Sequence, residues 1–290
     1  MKKRNSIRRI LMILLACVFL VCGGVVLTVK YKYIVNNRLN RTAANNYTAQ
    51  NPPSAAPAAV PSTPEKEEPA EPREYVYPPI TVDFRALKKI NPEIIGWIYC
   101  EDTPINFPVV QAKDNDFYID HGYDRRSNAC GAAFADALNQ RDFIDSNTII
   151  YAHHLIDGSM FASLEKWMDQ TYFDEHPVMW ILTPEQDYRV ELFSAYYIAA
   201  TDEAYTIFQG PSPQLDDYLV RTRNHSAVTS DVELDGEAKY VMLSTCAYVF
   251  SLSRSVLHEK MVPIDTAGGE LIDAAAGAVI GQAFGQDKGQ

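Results

Sequence analysis

Cysteine is scarce in this sequence: the 290-residue chain has five, and two of them, Cys17 and Cys22, lie in an apolar run near the N-terminus. The other three, Cys100, Cys130 and Cys246, are an odd number, which excludes a framework in which each of them is paired within the chain. A disulfide between Cys100 and Cys130 is compatible with the sequence, but a domain of this size does not need one. At least one thiol is therefore left as a candidate reactive group.

Acidic residues are absent from the first 29 positions, although the whole chain carries a formal net charge of −11. Residues 1–9 contain five basic side chains, and the uncharged run Ile10–Val29 that follows has 20 residues, enough to cross a bilayer. Because basic flanks stay on the cytoplasmic side, we expect a cytoplasmic segment at 1–9, a single-pass signal-anchor at 10–29 in the cell membrane, and an extracellular location for the domain that follows. A cleaved signal peptide is the alternative, which the lack of a small-residue cleavage position disfavours.

Beyond this run, the composition separates one globular segment from two flanks that cannot bury a core. Residues 30–79 are rich in Pro, Ala and Glu and are predicted to form an extracellular linker. Residues 266–290 are predicted to be a low-complexity tail. Residues 30–290 together carry 21 basic and 37 acidic side chains, a net charge of −16. Such a surface repels polyanions, so we expect no nucleic-acid partner.

Residues 80–265 have the hydrophobic patterning of a single domain rich in strands. Three helices are expected, beginning at Asp83, Ser159 and Ser212. Most neighbouring strands are joined by short loops, which favours a mostly antiparallel barrel or sandwich decorated with helices. The predicted strands are Ile95–Cys100, Ile105–Val110, Asn147–His153, Val178–Thr183, Tyr188–Ile198, Tyr240–Thr245 and Arg254–Val262.

A thiol and a guanidinium are predicted to meet at the last two strands. Alternation places Ser244 and Cys246 on one face, and Ser244 is polar where a packed face would be apolar, so this strand end is expected to face a cleft. A hairpin of the two strands would bring Arg254 beside Cys246. A thiolate can attack a carbonyl and a fixed cation can stabilise the charge that develops, although either residue taken singly is more often structural.

The proton carrier is harder to choose, because several histidines compete. His153 ends an apolar strand on the face of Tyr151, next to a turn that would keep the ring accessible. His258 lies on the face of Arg254, two residue pairs along the same strand. The adjacent pair His153-His154 raises metal binding as an alternative. Neighbours on a strand point to opposite faces and no third ligand lies at zinc-like spacing, so no metal is expected.

The segment from Asn91 to Ile264 resembles class B sortases, the membrane-anchored cysteine transpeptidases of Gram-positive surfaces. One departure is Ala152, where the family commonly has glycine before its histidine. The long segment between Thr201 and Val232, with two helices, is more similar to class B than to class A. The matching motifs are Gly96-Trp97, Pro108-Val109-Val110-Gln111, Asn147–His154 with Asp157–Phe161, and Leu243-Ser244-Thr245-Cys246 followed by Arg254.

The resemblance implies a mostly β fold, a closed eight-stranded barrel with peripheral helices that include an N-terminal helix and a helical insertion near the C-terminal half. It implies that Cys246 is the nucleophile, that His153 is the acid/base, and that Arg254 stabilises the oxyanion or the substrate, with no cofactor. Ser244 and Thr245, next to the nucleophile, are the predicted substrate-binding residues.

The implied activity is transpeptidation. The enzyme would cleave a C-terminal sorting motif of a surface protein after threonine, through a thioacyl intermediate, and transfer the protein to an amine of a peptidoglycan peptide or a pilin. Three alternatives remain: an exported cysteine peptidase that hydrolyses its substrate, a catalytically inactive membrane-tethered binding module, and, ranked last, a metal-dependent hydrolase at His153-His154.

Overall fold

The computed structural model describes residues 2–51, 78–247, 249 and 252–264 of the chain. The predicted tail at 266–290 and residues 52–77 of the predicted linker lie outside them. Four α-helices are present in these residues: α1 (Lys2–Tyr47), α2 (Phe84–Ile90), α3 (Gln170–Glu175) and α4 (Pro213–His225). The strands are β1 (Thr48–Gln50), β2 (Ile80–Val82), β3 (Ile94–Tyr99), β4 (Asn106–Val110), β5 (Ala133–Ala135), β6 (Asn147–Tyr151), β7 (Val178–Leu182), β8 (Tyr188–Ala199), β9 (Lys239–Cys246) and β10 (Ser253–Pro263). Short 3-10 helices span Phe117–Ile119, Arg141–Phe143, Phe161–Met168 and Glu203–Tyr205.

Eight of the strands form a closed barrel in the order β10-β8-β7-β3-β4-β5-β6-β9. The predicted eight-stranded barrel is therefore confirmed, and the sandwich is not the fold. Most pairings are antiparallel, but β4 pairs with β5 and β6 pairs with β9 in parallel. Because β6 and β9 run in the same direction, their carboxyl ends meet at one end of the barrel, which is also where the antiparallel strand β10 begins.

The barrel separates two buried faces. Side chains that point inward, such as Ile98, Val109 and Leu243, form one large apolar cluster. On the outside of β3, β4 and β5, a second cluster includes Trp97 and Phe134 and is covered by α1. The helical insertion predicted after residue 201 is present as the 3-10 helix Glu203–Tyr205 and as α4, which begins at the N-cap Ser212 as expected.

Helix α1 differs from the sequence-based boundaries, because it continues past residue 29 to Tyr47. Residues 30–47 of the predicted linker are therefore helical. The sequence permits this, because the first proline of the chain is Pro52. Packing stabilises it, because residues at helical spacing in α1 contact the domain. Asn36 and Ala43 are fully buried there.

A carboxyl group is enclosed inside the barrel. Glu259 is fully buried, and its neighbours on the same face of β10, Leu257 and Met261, belong to the inner apolar cluster. Neither carboxyl oxygen of Glu259 has a hydrogen-bond partner among the described residues. Burial disfavours the charged form and raises the pKa of Glu259 well above its ordinary value.

We expect the substitution Glu259→Gln to remove a pH dependence of stability. The folded state holds the Glu259 proton more tightly than the unfolded chain, so the free energy of unfolding should fall as pH rises from about 5 to 8 in the parent protein. The neutral amide of the variant cannot ionise. Its free energy of unfolding should therefore change less with pH, and at about pH 8 it should exceed that of the parent protein. Denaturant unfolding at a series of pH values measures this, with the exposed Glu237→Gln as control. Superimposable curves for all three proteins would show that burial does not hold the proton on Glu259.

Candidate active site

The candidate site lies where β6, β9 and β10 meet. Cys246 is the last residue of β9, Arg254 is the second residue of β10, and the two are partners in the antiparallel register. Residues paired in this way have Cα atoms about 4.5–5.5 Å apart and side chains on the same face. On the other side of β9, Ser244 is the register partner of Tyr151 in the parallel strand β6. The hairpin expected from the sequence therefore places Arg254 beside Cys246, and its guanidinium donates a 3.0 Å hydrogen bond to the carbonyl oxygen of Ser253.

The environment of Cys246 differs from that of the other cysteines in the domain. Cys100 and Cys130 are free thiols and almost fully buried, whereas Cys246 is partly exposed. Burial raises the pKa of Cys100 to about 12 and the pKa of Cys130 to about 11, so both stay protonated at physiological pH. Among these three residues, Cys246 alone combines access to solvent with a neighbouring cation.

His153 follows β6 by two residues and borders the same groove. Its Nε2 atom lies 2.6 Å from the backbone carbonyl oxygen of Ile119. Because a carbonyl only accepts hydrogen bonds, Nε2 must carry the hydrogen and donate it, which makes Nδ1 the basic nitrogen of the neutral ring. The backbone of His153 is also held, since its carbonyl accepts a hydrogen bond of 3.1 Å from the N–H of Phe161.

Gly131 allows this arrangement of the imidazole and the Ile119 carbonyl. Its φ is +61°, and a Cβ atom there would lie 2.7 Å from the carbonyl oxygen of Ile119 and 3.0 Å from Cδ2 of His153. A Cβ would also approach the carbonyl oxygen of Tyr118 to 2.6 Å. Only glycine leaves room for three backbone and ring groups to converge at this point.

The other histidines considered from the sequence lie elsewhere. His258 is buried beneath α4, where its Nε2 is 2.9 Å from the hydroxyl oxygen of Tyr218 and its ring stacks on Tyr196 at 5.4 Å. Burial lowers the pKa of His258 to about 3, so it is neutral at physiological pH. His154 is not among the residues that line the groove, and its Nε2 lies 3.4 Å from a carboxyl oxygen of Glu165. Within the described residues, no group of three or more His, Cys, Asp or Glu side chains could hold a metal ion.

The three predicted side chains share a cavity of about 570 Å³ on the outer face of the barrel. Ser244 and Thr245 border it as well, but both hydroxyl groups have partners inside the protein. Ser244 Oγ lies 2.8 Å from the hydroxyl oxygen of Tyr205, and Thr245 donates a 2.8 Å hydrogen bond to the carbonyl oxygen of Ala152. The rest of the lining is formed by Asn115, Asp116, Ile119, Phe134, Tyr151, Ala152, Ala200, Thr201, Asp202 and Tyr205.

Two walls of this cavity were not identified from the sequence. Tyr205 forms the first wall and comes from the 3-10 helix of the insertion. Its ring is almost parallel to the ring of Tyr151, with 6.1 Å between the ring centroids. Burial is the main cause of the raised pKa of Tyr205, so it stays a neutral hydroxyl. The second wall is the segment from Asn115 to Ile119. Asp136 fixes its position beside β6, because its carboxylate accepts hydrogen bonds from Asn115 at 3.0 Å and from Tyr151 at 2.8 Å. Alternation along β6 could have identified Tyr151, but no periodic signal marks Tyr205 or Asn115.

Known proteins of similar sequence and fold have been described. Sortase B of Listeria monocytogenes is 37% identical over 183 residues, which are 62% of this chain and 74% of the relative. Sortase B from Bacillus anthracis superposes with a TM-score of 0.63 at 31% identity, covering 80% of this chain and 99% of that structure. A Staphylococcus aureus sortase B–substrate complex superposes with a TM-score of 0.59 at 30% identity, covering 63% and 85%. No family model matches the chain.

A closed barrel of this topology, with such relatives, is that of a cysteine transpeptidase of the sortase class. The identity and coverage shared with the Listeria protein narrow the assignment further. The chain belongs to the sortase B family.

We expect Gly131→Ala to lower activity on a peptide substrate by about tenfold or more, because the new Cβ would push apart His153 and the Ile119 carbonyl. Gly158→Ala is the matched control. Gly158 also has a positive φ, +81°, but a Cβ there would meet no atom within 4 Å. Both variants should lose about 1 kcal/mol of stability from the backbone conformation. Equal activity of the two variants, measured as kcat on a fluorogenic peptide, would refute the role given to this close contact.

Proposed function

We propose that this sortase cleaves a C-terminal sorting motif of surface proteins after threonine and joins the new carboxyl end to an amine of a peptidoglycan peptide or a pilin. The observation that carries the proposal is the register pair of Cys246 and Arg254 in one groove with His153. The three residue types supply a nucleophile, a fixed positive charge and a proton carrier.

In the first half-reaction, the Cys246 thiolate attacks the carbonyl carbon of the threonine. Negative charge develops on the carbonyl oxygen, and the guanidinium of Arg254, on the neighbouring strand, stabilises it. The C–N bond breaks, and the departing amine takes a proton from the imidazolium of His153. The product is a thioester between Cys246 and the threonine, with His153 now neutral.

In the second half-reaction, an incoming amine attacks the thioester carbonyl. Neutral His153 accepts a proton from this amine, the C–S bond breaks, and the sulfur leaves as the Cys246 thiolate. The new bond is an amide, so the bond count and the charge state of the site return to their starting values. Water in place of the amine would give hydrolysis by the same groups, which is why the peptidase alternative uses an identical site.

The substrate peptide is proposed to lie along the outer face of the barrel between the two walls of the cavity. Tyr205 forms one wall and the segment from Asn115 to Ile119 forms the other. Ser244 and Thr245 are proposed to act mainly through position here, since their hydroxyl groups already bond to Tyr205 and Ala152.

We further propose that α1 anchors the enzyme in the cell membrane with the domain outside the cell. Among the described residues, α1 is the helix long and apolar enough to cross a bilayer, and its apolar window is not covered by the domain. The basic residues before this run favour a cytoplasmic N-terminus.

We expect Cys246→Ala and His153→Ala to abolish cleavage of fluorogenic sorting peptides, because each removes a group that forms or accepts a bond. Arg254→Ala should lower kcat by about 100-fold to 1,000-fold, as expected for loss of one oxyanion-stabilising group. Arg254→Lys should recover only part of this loss, since an ammonium lacks the planar fork. Full activity of the lysine variant would show that any positive charge suffices and would contradict a directional role for the guanidinium.

Transfer and hydrolysis can be separated by their products. We expect mass spectrometry to find the peptide joined to an added glycine-rich or lysine-containing amine, with free acid dominating only when the amine is withheld. A product that is free acid at every amine concentration would favour the peptidase alternative. Unchanged binding of sorting peptides without any cleavage, in both the parent protein and Cys246→Ala, would favour the inactive binding module.

A further inference from the structure

Helix α1 leaves the domain at the end of the barrel that carries the candidate active site. The backbone carbonyl of Lys32 lies 3.8 Å from Sγ of Cys130, and the side chain of Asn36 bonds to Asn128 at 2.8 Å. Both partners precede β5, whose amino end lies beside the carboxyl end of β6 in the antiparallel register. At the other end of α1, the carbonyl of Tyr47 accepts a hydrogen bond from Asp83, which precedes α2.

The loop that follows His153 is also attached to this part of α1. Asn37 donates a 2.9 Å hydrogen bond to Asp157. The other carboxyl oxygen of Asp157 accepts a 2.6 Å hydrogen bond from Ser159, so the charge next to the helix is satisfied within the protein. The active-site loop and the helix that precedes the domain are therefore in direct contact.

The rise of the helix sets the distance from these contacts to the apolar run. At 1.5 Å per residue, Lys32 lies about 5 Å and Asn37 about 12 Å beyond Val29, where the uncharged run ends. The headgroup region of one leaflet is about 5–8 Å thick. While α1 is continuous, Asn37 and the Asp157 that it contacts therefore lie within about 12 Å of the end of the uncharged run, next to the headgroup region.

Large apolar side chains are exposed at this same end. Ile156, in the loop after His153, is 82% exposed, and Leu252, which directly precedes β10, is 71% exposed. Exposure alone does not mark a docking surface, because single apolar side chains are common on soluble proteins. Here, however, both side chains lie at the end of the barrel that is nearest to Val29, where the apolar run of α1 ends.

We propose that Ile156 and Leu252 form a membrane-docking edge, which inserts into the headgroup layer of the bilayer that α1 spans. The inference depends on the proposed membrane anchor and extends it from a tether to a fixed orientation. The groove between β6, β9 and β10 would then open next to the outer leaflet rather than away from it. The occupant of this edge is a lipid surface, bound by burial of apolar side chains and not by recognition of one headgroup.

The test uses the full chain reconstituted into vesicles of phosphatidylcholine and phosphatidylglycerol, with and without brominated acyl chains that quench tryptophan. Ile156→Trp and Leu252→Trp place a reporter on the edge. Leu138→Trp is the matched control, because Leu138 is 77% exposed but follows β5 at the opposite end of the barrel. The native residues Trp97, Trp167 and Trp180 are buried, and the parent protein gives their background signal.

We expect the two edge reporters to shift their emission to shorter wavelength and to lose intensity in brominated vesicles, and the Leu138→Trp reporter to do neither. Equal behaviour of the edge reporters and the control would overturn the docking edge. Flotation of the same vesicles tests the anchor separately. A chain that floats with the vesicles but shows no edge quenching retains the anchor and loses the docking edge, whereas a chain that does not float refutes the proposed anchor itself.

Discussion

The parallel pairing of β6 with β9 is the constraint on which the candidate site depends. The barrel has two parallel pairings among its described strands, and this one brings the carboxyl ends of two strands that are distant in sequence to the same position. The thiol at the end of β9 and the imidazole after β6 meet for that reason, and the hairpin to β10 adds the guanidinium. Changing the direction of either strand would place His153 and Cys246 at opposite ends of the barrel.

Burial divides the titratable groups of the domain into two sets. Those enclosed by the barrel or by α4 are held neutral, with a low pKa for His258 and raised pKa values for Glu259, Cys100 and Cys130. Cys246 and His153, by contrast, reach the groove. Desolvation therefore keeps the enclosed groups neutral at physiological pH, and the two side chains that border the groove are not enclosed in this way.

The sequence allows the strands and the Cys246–Arg254 hairpin to be predicted because both depend on local alternation and short loops. Pairing between distant strands has no local signal, so the closure of the barrel and the choice of His153 came only through the family resemblance, and the parallel pairing of β6 with β9 was not predicted. Tyr205 and Asn115 were missed because they lie in irregular segments that only the closed barrel brings to the groove. The helix over residues 30–47 was missed for a different reason. The composition of residues 30–79 as a whole is that of a linker, but the prolines that give it this character begin only at Pro52.

The separation of the cysteines has a consequence for oxidative damage. Cys246 is partly exposed, whereas Cys100 and Cys130 are enclosed and each has its sulfur against a backbone carbonyl. A sulfenic acid formed on Cys246 would therefore have no accessible thiol within the domain with which to condense into a disulfide. Recovery of an oxidised enzyme would depend on a reductant arriving from solution, and prolonged exposure to peroxide would carry the sulfur on to irreversible sulfinic and sulfonic acids.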